Sequence, residues 1–461
     1  MTVNPHRVGS VFLKDYLGLA LPIAFQFLMW ALVPACDAFM LGRIGQSQMA
    51  AVSLAAQVPF LMYMMAAAFA VGMSTLGAQY WGRRDPESVG KVLRIGLRFL
   101  CAVTWTVGAA SILAPERLMR VFTGESELVR FGADYLRIAG WSYFIVAISH
   151  SFHTIMKATG HAWLSVTVSV ATMVLNVTLN AALIFGVGPL APMGVRGAAT
   201  ATLVALAAEG AAMCALTRRP GFVHPGWRRI LEWHPALVRD YLRCCLPILG
   251  AYAVWGGGLS VYVSIMGHLG EDAAAANAVA AVVRDLLCCV CEGAAAAAAI
   301  MVGHALGSGD LELGRFYGRK ALRISLVLGA LASLAVLAFS GFVLDLVTLS
   351  GTARTMLAGM MKVLALYMFG RYVNTILVVG VFTAGGDTFY DFYSLATTMW
   401  GLAVPMALLG AFVFRWPPAL VFACTCIDEI GKLPWTFAHY RRYLWVRDLT
   451  RGHGGTGSDE S

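Results

Sequence analysis

Long apolar stretches follow one another along almost the whole chain and are separated by short polar segments. Twelve can be distinguished, at residues 15–41, 49–80, 92–114, 132–157, 163–187, 194–217, 243–267, 273–306, 319–347, 356–384, 391–414 and 417–439. A helix needs roughly 20 apolar residues to cross a bilayer, and long uncharged segments there must be helical to satisfy their backbone hydrogen bonds. The stretches do not alternate as membrane strands do. The pattern predicts an all-α integral membrane protein with twelve transmembrane helices.

Basic residues gather in the polar segments that lie on one side of the predicted membrane. They follow the second, sixth, eighth and twelfth apolar stretches, within 83–94, 218–243, 315–323 and 441–451. The opposite segments hold fewer basic residues, and those of 115–130 are accompanied by glutamates. Because cytoplasmic loops carry the excess of Lys and Arg, we expect a protein of the cell membrane with both termini in the cytoplasm.

The two halves of the chain repeat each other. A shift of 225 residues aligns Pro22 with Pro247, Trp30 with Trp255, Gly42 with Gly267, Gly45 with Gly270, Gly82 with Gly307 and Asp85 with Asp310, and a shift of 226 aligns Ala158 with Ala384 and Gly160 with Gly386. We therefore predict an N-terminal six-helix bundle (1–217), a cytoplasmic linker (218–242), a C-terminal six-helix bundle (243–440) and a cytoplasmic tail (441–461). Parallel repeats of this kind are typical of transporters.

The composition supports a membrane protein. The chain of 461 residues is 59% hydrophobic and 13% charged, whereas soluble domains have about 45–50% apolar and about 25% charged residues. This excludes an ordinary soluble enzyme, a disordered chain and a disulfide scaffold. The net charge of +9 could indicate nucleic acid, but the basic residues flank apolar stretches, so we expect no nucleic-acid partner and interpret them as determinants of membrane orientation.

Asp37 is the most informative polar residue of the first half. A charged side chain at mid-bilayer costs about 2.5–3.5 kcal/mol on insertion scales, so its presence there calls for a function. Gln26 and Trp30 fall near the same helical face as Asp37, and Pro34 lies one turn before Asp37. A carboxylate beside an aromatic ring suits a proton or sodium site next to a cationic substrate. The alternative is an aspartate at the outer water boundary, because Arg43 follows closely.

Two asparagines in the fifth stretch are expected to act with this acid. Asn176 and Asn180 are four residues apart, so both amides lie on one helical face. They can supply hydrogen bonds to Asp37 and to the ion. The alternative is packing between helices, which polar side chains also serve in membranes.

Glu292 is the deepest carboxylate of the second half, in the sequence RDLLCCVCEGAAAAAA. We expect it to face a cavity, and the alternative is an internal salt bridge with Arg284 or Arg371. Arg371 is followed closely by Asn374, and together they form a second polar cluster in this half.

No metal centre is expected beyond a candidate sodium site at Asp37. His150 and His153 are three residues apart, but no HExxH motif or matching carboxylate supports a metal site. The ten cysteines match no zinc spacing, and we interpret them as small residues at helix contacts. A phosphate-binding loop, a nucleophile elbow and a zinc-protease motif are all lacking. We therefore predict a protein that is not an enzyme, has no cofactor and is driven by an ion gradient or by the gradient of its substrate.

The sequence resembles the multidrug and toxic compound extrusion (MATE) family of transporters, bacterial type. The matching segments are CDAFMLGRIG, GMSTLGAQYWGRRD, MKATGHAW, LNVTLNAALIFG and MGVRGAATAT in the first half, and IMVGHALGSGD, GVFTAGGDT and YLWVRDLT in the second. They occur in order over nearly the full length.

The resemblance implies two six-helix bundles arranged as a V and an antiport in which a cationic or amphiphilic compound leaves while H⁺ or Na⁺ enters. By this resemblance, ion coupling falls on Asp37, Asn176 and Thr202, and also on Asn180, where many members of the family have an aspartate. The family's glutamate in the seventh span has no counterpart here, and its aspartate in the tenth span falls near Tyr372. The coupling ion therefore stays open, and Glu292 is our candidate to replace the missing acids.

The predicted partners are a small organic cation or amphiphile and the lipid bilayer, and we expect a monomer. Aromatic side chains suit a cation through its attraction to ring faces. The candidate substrate-binding residues are Gln26, Trp30, Gln57, Tyr252, Trp255, Tyr262, Arg284, Arg371 and Asn374. The main alternative function is a flippase of related fold for lipid-linked oligosaccharides or peptidoglycan precursors, which would favour a strongly cationic cavity. A membrane-embedded enzyme, a pore and a receptor fit the residues less well.

Overall fold

A computed structural model describes residues 5–186, 191–226, 229–347 and 349–450, with side chains except those of 5–11, 35, 38 and 46. These described residues form helices joined by short turns, without a strand among them. The all-α prediction is therefore confirmed.

The helices follow the predicted apolar stretches closely. They are α1 (Pro5–Gly42), α2 (Gln46–Ala55), α3 (Gln57–Gly82), α4 (Pro86–Leu113), α5 (Pro115–Arg120), α6 (Ser126–Ala158), α7 (Ala162–Phe185), α8 (Val195–Leu216), α9 (Pro235–His268), α10 (Glu271–Gly307), α11 (Leu311–Leu346), α12 (Gly351–Asn374), α13 (Phe389–Leu395), α14 (Val404–Leu408), α15 (Pro418–Thr425) and α16 (Ile427–Arg441). Three further stretches are π-helical: Thr375–Phe382, Ala396–Ala403 and Leu409–Val413.

Ten of the described helical segments are long and apolar enough to cross a membrane. The other two predicted spans are α6 and the pair α15 and α16. Histidine and serine side chains such as His150, Ser151 and His153 reduce the hydropathy of α6. The twelfth span is divided at Cys426 into helices of 8 and 15 residues, each too short to cross alone.

The contacts divide the chain into two compact units. We call residues 25–242 the N-terminal unit, and residues up to Ala24 together with those from Arg243 onward the C-terminal unit. The predicted boundary lay at 217, with a linker to 242. In the structure, the first turns of α1 belong to the C-terminal unit, and α9 begins in the N-terminal unit.

Two tyrosines explain these boundaries. The hydroxyl of Tyr16 on α1 donates to the carbonyl oxygen of Ala294 on α10 at 2.8 Å. The hydroxyl of Tyr241 on α9 donates to the carbonyl oxygen of Phe69 on α3 at 2.7 Å. Donors and acceptors are both related by the repeat shift of 225 residues. The first helix of each sequence half therefore supplies its opening turns to the unit built mainly by the other half.

Local structure at other repeated positions is also equivalent. The carboxylate of Asp85 accepts from the backbone N–H of Ser88 at 3.0 Å and begins α4, and that of Asp310 accepts from Leu313 at 2.9 Å and begins α11. Such side-chain caps satisfy backbone donors that have no partner inside the helix. The prediction of two homologous halves is thus matched by the same local interactions in both.

The segment after α16 packs against the C-terminal unit. The side chain of Trp445 is fully buried, and its indole lies close to Gly318 while its backbone lies close to Gly385. A side chain at either glycine would collide with this segment. Of the predicted cytoplasmic tail, 441–450 is therefore part of the packed unit, and 451–461 lies outside the described residues.

Candidate functional site

Four predicted residues of the N-terminal unit meet in one hydrogen-bonded chain. The amide nitrogen of Asn180 donates to a carboxylate oxygen of Asp37 at 2.5 Å and to the amide oxygen of Asn176 at 3.1 Å. The amide nitrogen of Asn176 in turn donates to the hydroxyl of Thr202 at 3.4 Å. These contacts join α1, α7 and α8. The geometry fits the predicted ion-coupling set, whose role stays a prediction.

The partners of Asp37 are neutral. Asp37 is 9% exposed, and within the described part of the chain no Lys, Arg or His nitrogen forms an ion pair with it. The amide oxygen of Asn180 is buried without a hydrogen-bond partner. A buried carboxylate without a compensating charge favours neutralisation by a proton or a cation, and oxygen ligands suit hard cations. The cluster can therefore hold either ion.

Gln26 and Trp30, four residues apart on α1, lie in a different environment. The amide nitrogen of Gln26 donates to the hydroxyl of Ser169 at 2.7 Å, and its amide oxygen accepts from the ammonium of Lys157 at 3.3 Å. The same ammonium lies 5.4 Å from the ring centroid of Trp30. A protein cation therefore already contacts the ring that was predicted to receive a substrate cation.

Three ionisable residues around Gln26 were not among the predicted site residues. His153 on α6 and Glu209 on α8 are both buried, and the ring Nε2 lies 2.9 Å from the carboxylate. Lys157 completes the group. Glu209 lies in the apolar sequence LVALAAEGAAM, so the rule that singled out Asp37 and Glu292 would also have found it.

The predicted residues of the C-terminal unit form salt bridges. The guanidinium of Arg371 donates to Glu292 at 3.1 Å and to Glu429 at 2.9 Å. The amide nitrogen of Asn374 donates to the other carboxylate oxygen of Glu429 at 2.8 Å. The structure thus shows the internal salt bridge that was the alternative for Glu292, and it adds Glu429 from α16, which sequence reasoning did not place here. A second ion pair joins Lys432 to Asp391 at 3.8 Å.

The remaining predicted residues form no hydrogen bond to these clusters within the described part of the chain, although Tyr252 interacts electrostatically with Glu292 and Arg371. Arg284 pairs with its neighbour Asp285 at 2.9 Å. Tyr262 is buried, and its hydroxyl has no hydrogen-bond partner among the described residues. The others are Tyr252 and Trp255, which are half-buried on α9, and Gln57, which is exposed at the start of α3.

Duplicated helical bundles are features of transporters, and ionisable groups inside the spanning helices mark their pathways. This is the class that the fold and the clusters indicate. The sequence profile of the MatE family matches residues 22–182 and 247–409. The two matched segments begin 225 residues apart, the shift at which the sequence repeat aligns. The chain belongs to the MATE family of transporters, as its sequence motifs indicated.

Curated relatives cover most of the chain. The uncharacterized transporter YisQ of Bacillus subtilis is 20% identical over 429 residues, which are 93% of this chain and 94% of the relative. The probable multidrug resistance protein NorM of Rhodopseudomonas palustris is 29% identical over 333 residues, 70% of this chain and 69% of the relative. The protein of the same name from Bradyrhizobium diazoefficiens is 26% identical, and the match covers 86% of each chain.

Solved structures share the fold. A crystal structure of a MATE in the bent conformation has a TM-score of 0.85 at 20% identity and covers 94% of this chain and 95% of its own. A MOP superfamily transporter from Pyrococcus furiosus has a TM-score of 0.83 at 20% identity and covers 93% and 95%. At this identity the likeness shows the fold alone.

Proposed function

We propose that this transporter exports cationic or amphiphilic small molecules by antiport with protons or sodium ions. The observation that carries the proposal is Asp37, a buried carboxylate held by the neutral amide of Asn180 at 2.5 Å. The names of the curated relatives, probable multidrug resistance proteins, support the substrate class.

Antiport follows from competition around this carboxylate. An ion or proton bound at Asp37 neutralises the charge that attracts a cationic substrate, so each weakens the binding of the other, as exchange requires. Asn180 and Asn176 orient the carboxylate, and Thr202 anchors Asn176. Alternating access then exposes the neutralised and the ionised carboxylate to opposite sides of the membrane.

We further propose that the protein works as a monomer in the cell membrane with both termini in the cytoplasm. The basic residues that follow the second, sixth, eighth and twelfth apolar stretches support this orientation. An ion gradient is the energy source in this proposal, and no organic cofactor takes part.

The test is uptake of a fluorescent organic cation into proteoliposomes under separate proton and sodium gradients, with empty liposomes as the control. We expect one gradient to drive uptake, and that gradient identifies the ion. If neither gradient moves the cation, export of cations is wrong. Transport of lipid-linked precursors should then be measured with the same vesicles.

A further inference from the structure

A second group of ionisable side chains lies inside the N-terminal unit, and the proposed function gives it no role. Its centre is His153 on α6, which is 2% exposed. One ring nitrogen, Nε2, lies 2.9 Å from the carboxylate of Glu209 on α8, and the other, Nδ1, lies 2.7 Å from the hydroxyl of Ser165 on α7. Both nitrogens of a buried imidazole therefore have fixed partners.

Gln26 connects this histidine to α1. Its amide nitrogen lies 3.3 Å from Nδ1 of His153 and donates to the hydroxyl of Ser169 at 2.7 Å. Its amide oxygen lies 3.3 Å from the ammonium of Lys157. An ammonium group has only donors, so the amide oxygen must face Lys157 and the amide nitrogen must face His153.

The partners of the two ring nitrogens determine where His153 carries its proton. An ionised carboxylate only accepts, so the contact of Nε2 with Glu209 at 2.9 Å favours a proton on Nε2. Nδ1 is then an acceptor, which is the state that suits the amide N–H of Gln26 and the hydroxyl of Ser165. The proton of the neutral ring then resides on Nε2 and is donated to Glu209. The contacts thus select one tautomer of a neutral histidine.

A proton that binds Nδ1 changes these contacts. The new N–H would face the amide N–H of Gln26 donor to donor, whereas the hydroxyl of Ser165 can turn and accept from it. Gln26 then loses its contact with His153, and α1 loses a link to α6. The ring takes up one proton from the solution, and no other group is transferred. The charge of the pair of neutral His153 and ionised Glu209 thereby changes from −1 to zero.

We propose that His153 and Glu209 form a second proton-binding site, which controls through Gln26 how α1 is held against α6. Its use in transport rests on the proposed antiport, whereas the binding of the proton does not.

This site and the Asp37 cluster share three helices, α1, α7 and α8, and His153 adds α6 to the second site. Gln26 precedes Asp37 by 11 residues on α1, and Glu209 follows Thr202 by seven on α8. On α7, Ser169 precedes Asn176 by seven residues. At about 1.5 Å per residue, the two sites lie roughly 10–16 Å apart along the helices.

The groups around His153 combine opposite charges with neutral hydrogen-bonding side chains. The ammonium of Lys157 and the carboxylate of Glu209 have opposite charges. The contacting groups of α1 and α7, which are Gln26, Trp30, Ser165 and Ser169, carry none. The other titratable neighbours are His150 on α6 and Tyr63 on α3, which interact electrostatically with Lys157 and Glu209 respectively.

The first test observes the proton directly. Full-length protein labelled with ¹⁵N-histidine is studied by NMR in detergent, without substrate or gradient, between about pH 5 and 8. The signal of His153 among the ten histidines is the one that disappears in His153→Asn and persists in His268→Asn, a variant of an exposed histidine. We expect it to change from the Nε2–H tautomer to the doubly protonated ring as the pH falls. An unchanged tautomer over this range would overturn the proposal.

The second test measures the link to α1. Hydrogen exchange of peptides that contain Gln26 is compared at low and high pH after correction for intrinsic rates. Loss of one hydrogen bond should make exchange at low pH about tenfold faster in the wild type. His153→Asn keeps an acceptor near the position of Nδ1 but binds no proton, so the difference should vanish. Glu209→Gln keeps a hydrogen-bond partner and removes the charge, so the difference should shrink.

Asp37→Asn separates this proposal from the proposed function. We expect this variant to keep the pH response of α1, because its substitution lies at the other site. If Asp37→Asn removes the response and His153→Asn retains it, α1 responds to Asp37 alone and the second site is wrong. If the response behaves as expected while no gradient moves a cation, the proposed function fails and the proton site stands.

Discussion

In the N-terminal unit, Asp37 is held by the neutral amide of Asn180, whereas in the C-terminal unit Glu292 and Glu429 share the guanidinium of Arg371. All three carboxylates lie on helices of a duplicated sequence. The difference lies in the charge of the partner. The amide of Asn180 is neutral and does not compensate the charge of Asp37, whereas the guanidinium of Arg371 brings a positive charge to Glu292 and Glu429.

This contrast separates two uses of buried acids. Arginine stays charged at every physiological pH, so the C-terminal cluster always holds one cation, which Glu292 and Glu429 share. Asp37 has no such partner among the described residues, and in the proposed antiport it is the group that exchanges a proton or sodium ion. In the proposed antiport, exchange therefore belongs to the N-terminal unit, whereas the contacts of the C-terminal cluster join α10, α12 and α16.

The largest expected effect is the loss of ion-driven transport in Asp37→Asn. The amide cannot ionise or attract a cation, so uptake in proteoliposomes should fall to the level of empty vesicles. Asp345→Asn, at an exposed aspartate paired with Arg354, should transport like the wild type. Undiminished uptake in Asp37→Asn would remove the contrast between the two units.

Arg371→Met should destabilise the protein strongly. It leaves the buried Glu429 and the half-buried Glu292 without their shared cation, and leaving a buried charge such as that of Glu429 unpaired costs about 3–5 kcal/mol. Denaturation in detergent measures this loss. Arg354→Met removes an exposed partner and should change stability by less than about 1 kcal/mol. Equal losses in the two variants would mean that the C-terminal cluster does not hold its helices together.

Asn180→Ala should weaken the ion dependence of transport while leaving the carboxylate in place. Removing a group that orients an ion-binding side chain typically costs about tenfold in affinity or more. The ion concentration that gives half-maximal uptake should therefore rise about tenfold. Thr178→Ala changes an exposed residue of the same helix and serves as the matched control. If both variants behave alike, Asn180 has no part in ion binding.

Tyr16→Phe and Tyr241→Phe compare equivalent positions of the two halves. Each removes one buried hydrogen bond to a backbone carbonyl, which is worth about 1 kcal/mol. Denaturation should show similar losses for the two single variants. A large loss in only one of them would show that the repeat is not energetically equivalent.

The smallest effect is expected for Glu292→Gln. The variant keeps a hydrogen-bond acceptor for Arg371, and Glu429 still balances that guanidinium. Uptake should stay within about threefold of the wild type, or roughly 0.7 kcal/mol. A loss as complete as that of Asp37→Asn would place ion coupling in the C-terminal unit.

The sequence was sufficient for the features that depend on local periodicity. Apolar length predicted the spans, and a spacing of four placed Asn176 and Asn180 on one face. The repeat shift also aligned Asp85 with Asp310, which both begin helices.

Contacts between distant helices could not be predicted in this way. The ion pair of Arg371 with Glu429 joins residues 58 positions apart, and the bond from Tyr16 to Ala294 spans 278. Such pairs depend on which helical faces pack together, and helical periodicity gives no information about that choice. Glu209 is a different case, since its burial in an apolar stretch was visible and was not used.

The exchange of opening turns between the halves also constrains how the protein is made. The hydroxyl of Tyr16 requires a carbonyl of α10, and the site at Phe69 is completed by Tyr241 of α9. When only the first six spans have been synthesised, the N-terminal unit still lacks the start of α9. The beginning of α1 then also lacks its contact on α10, which lies more than half of the chain further on. Membrane insertion of the two halves can therefore proceed in order, but their final packing is completed only when the second half has been synthesised.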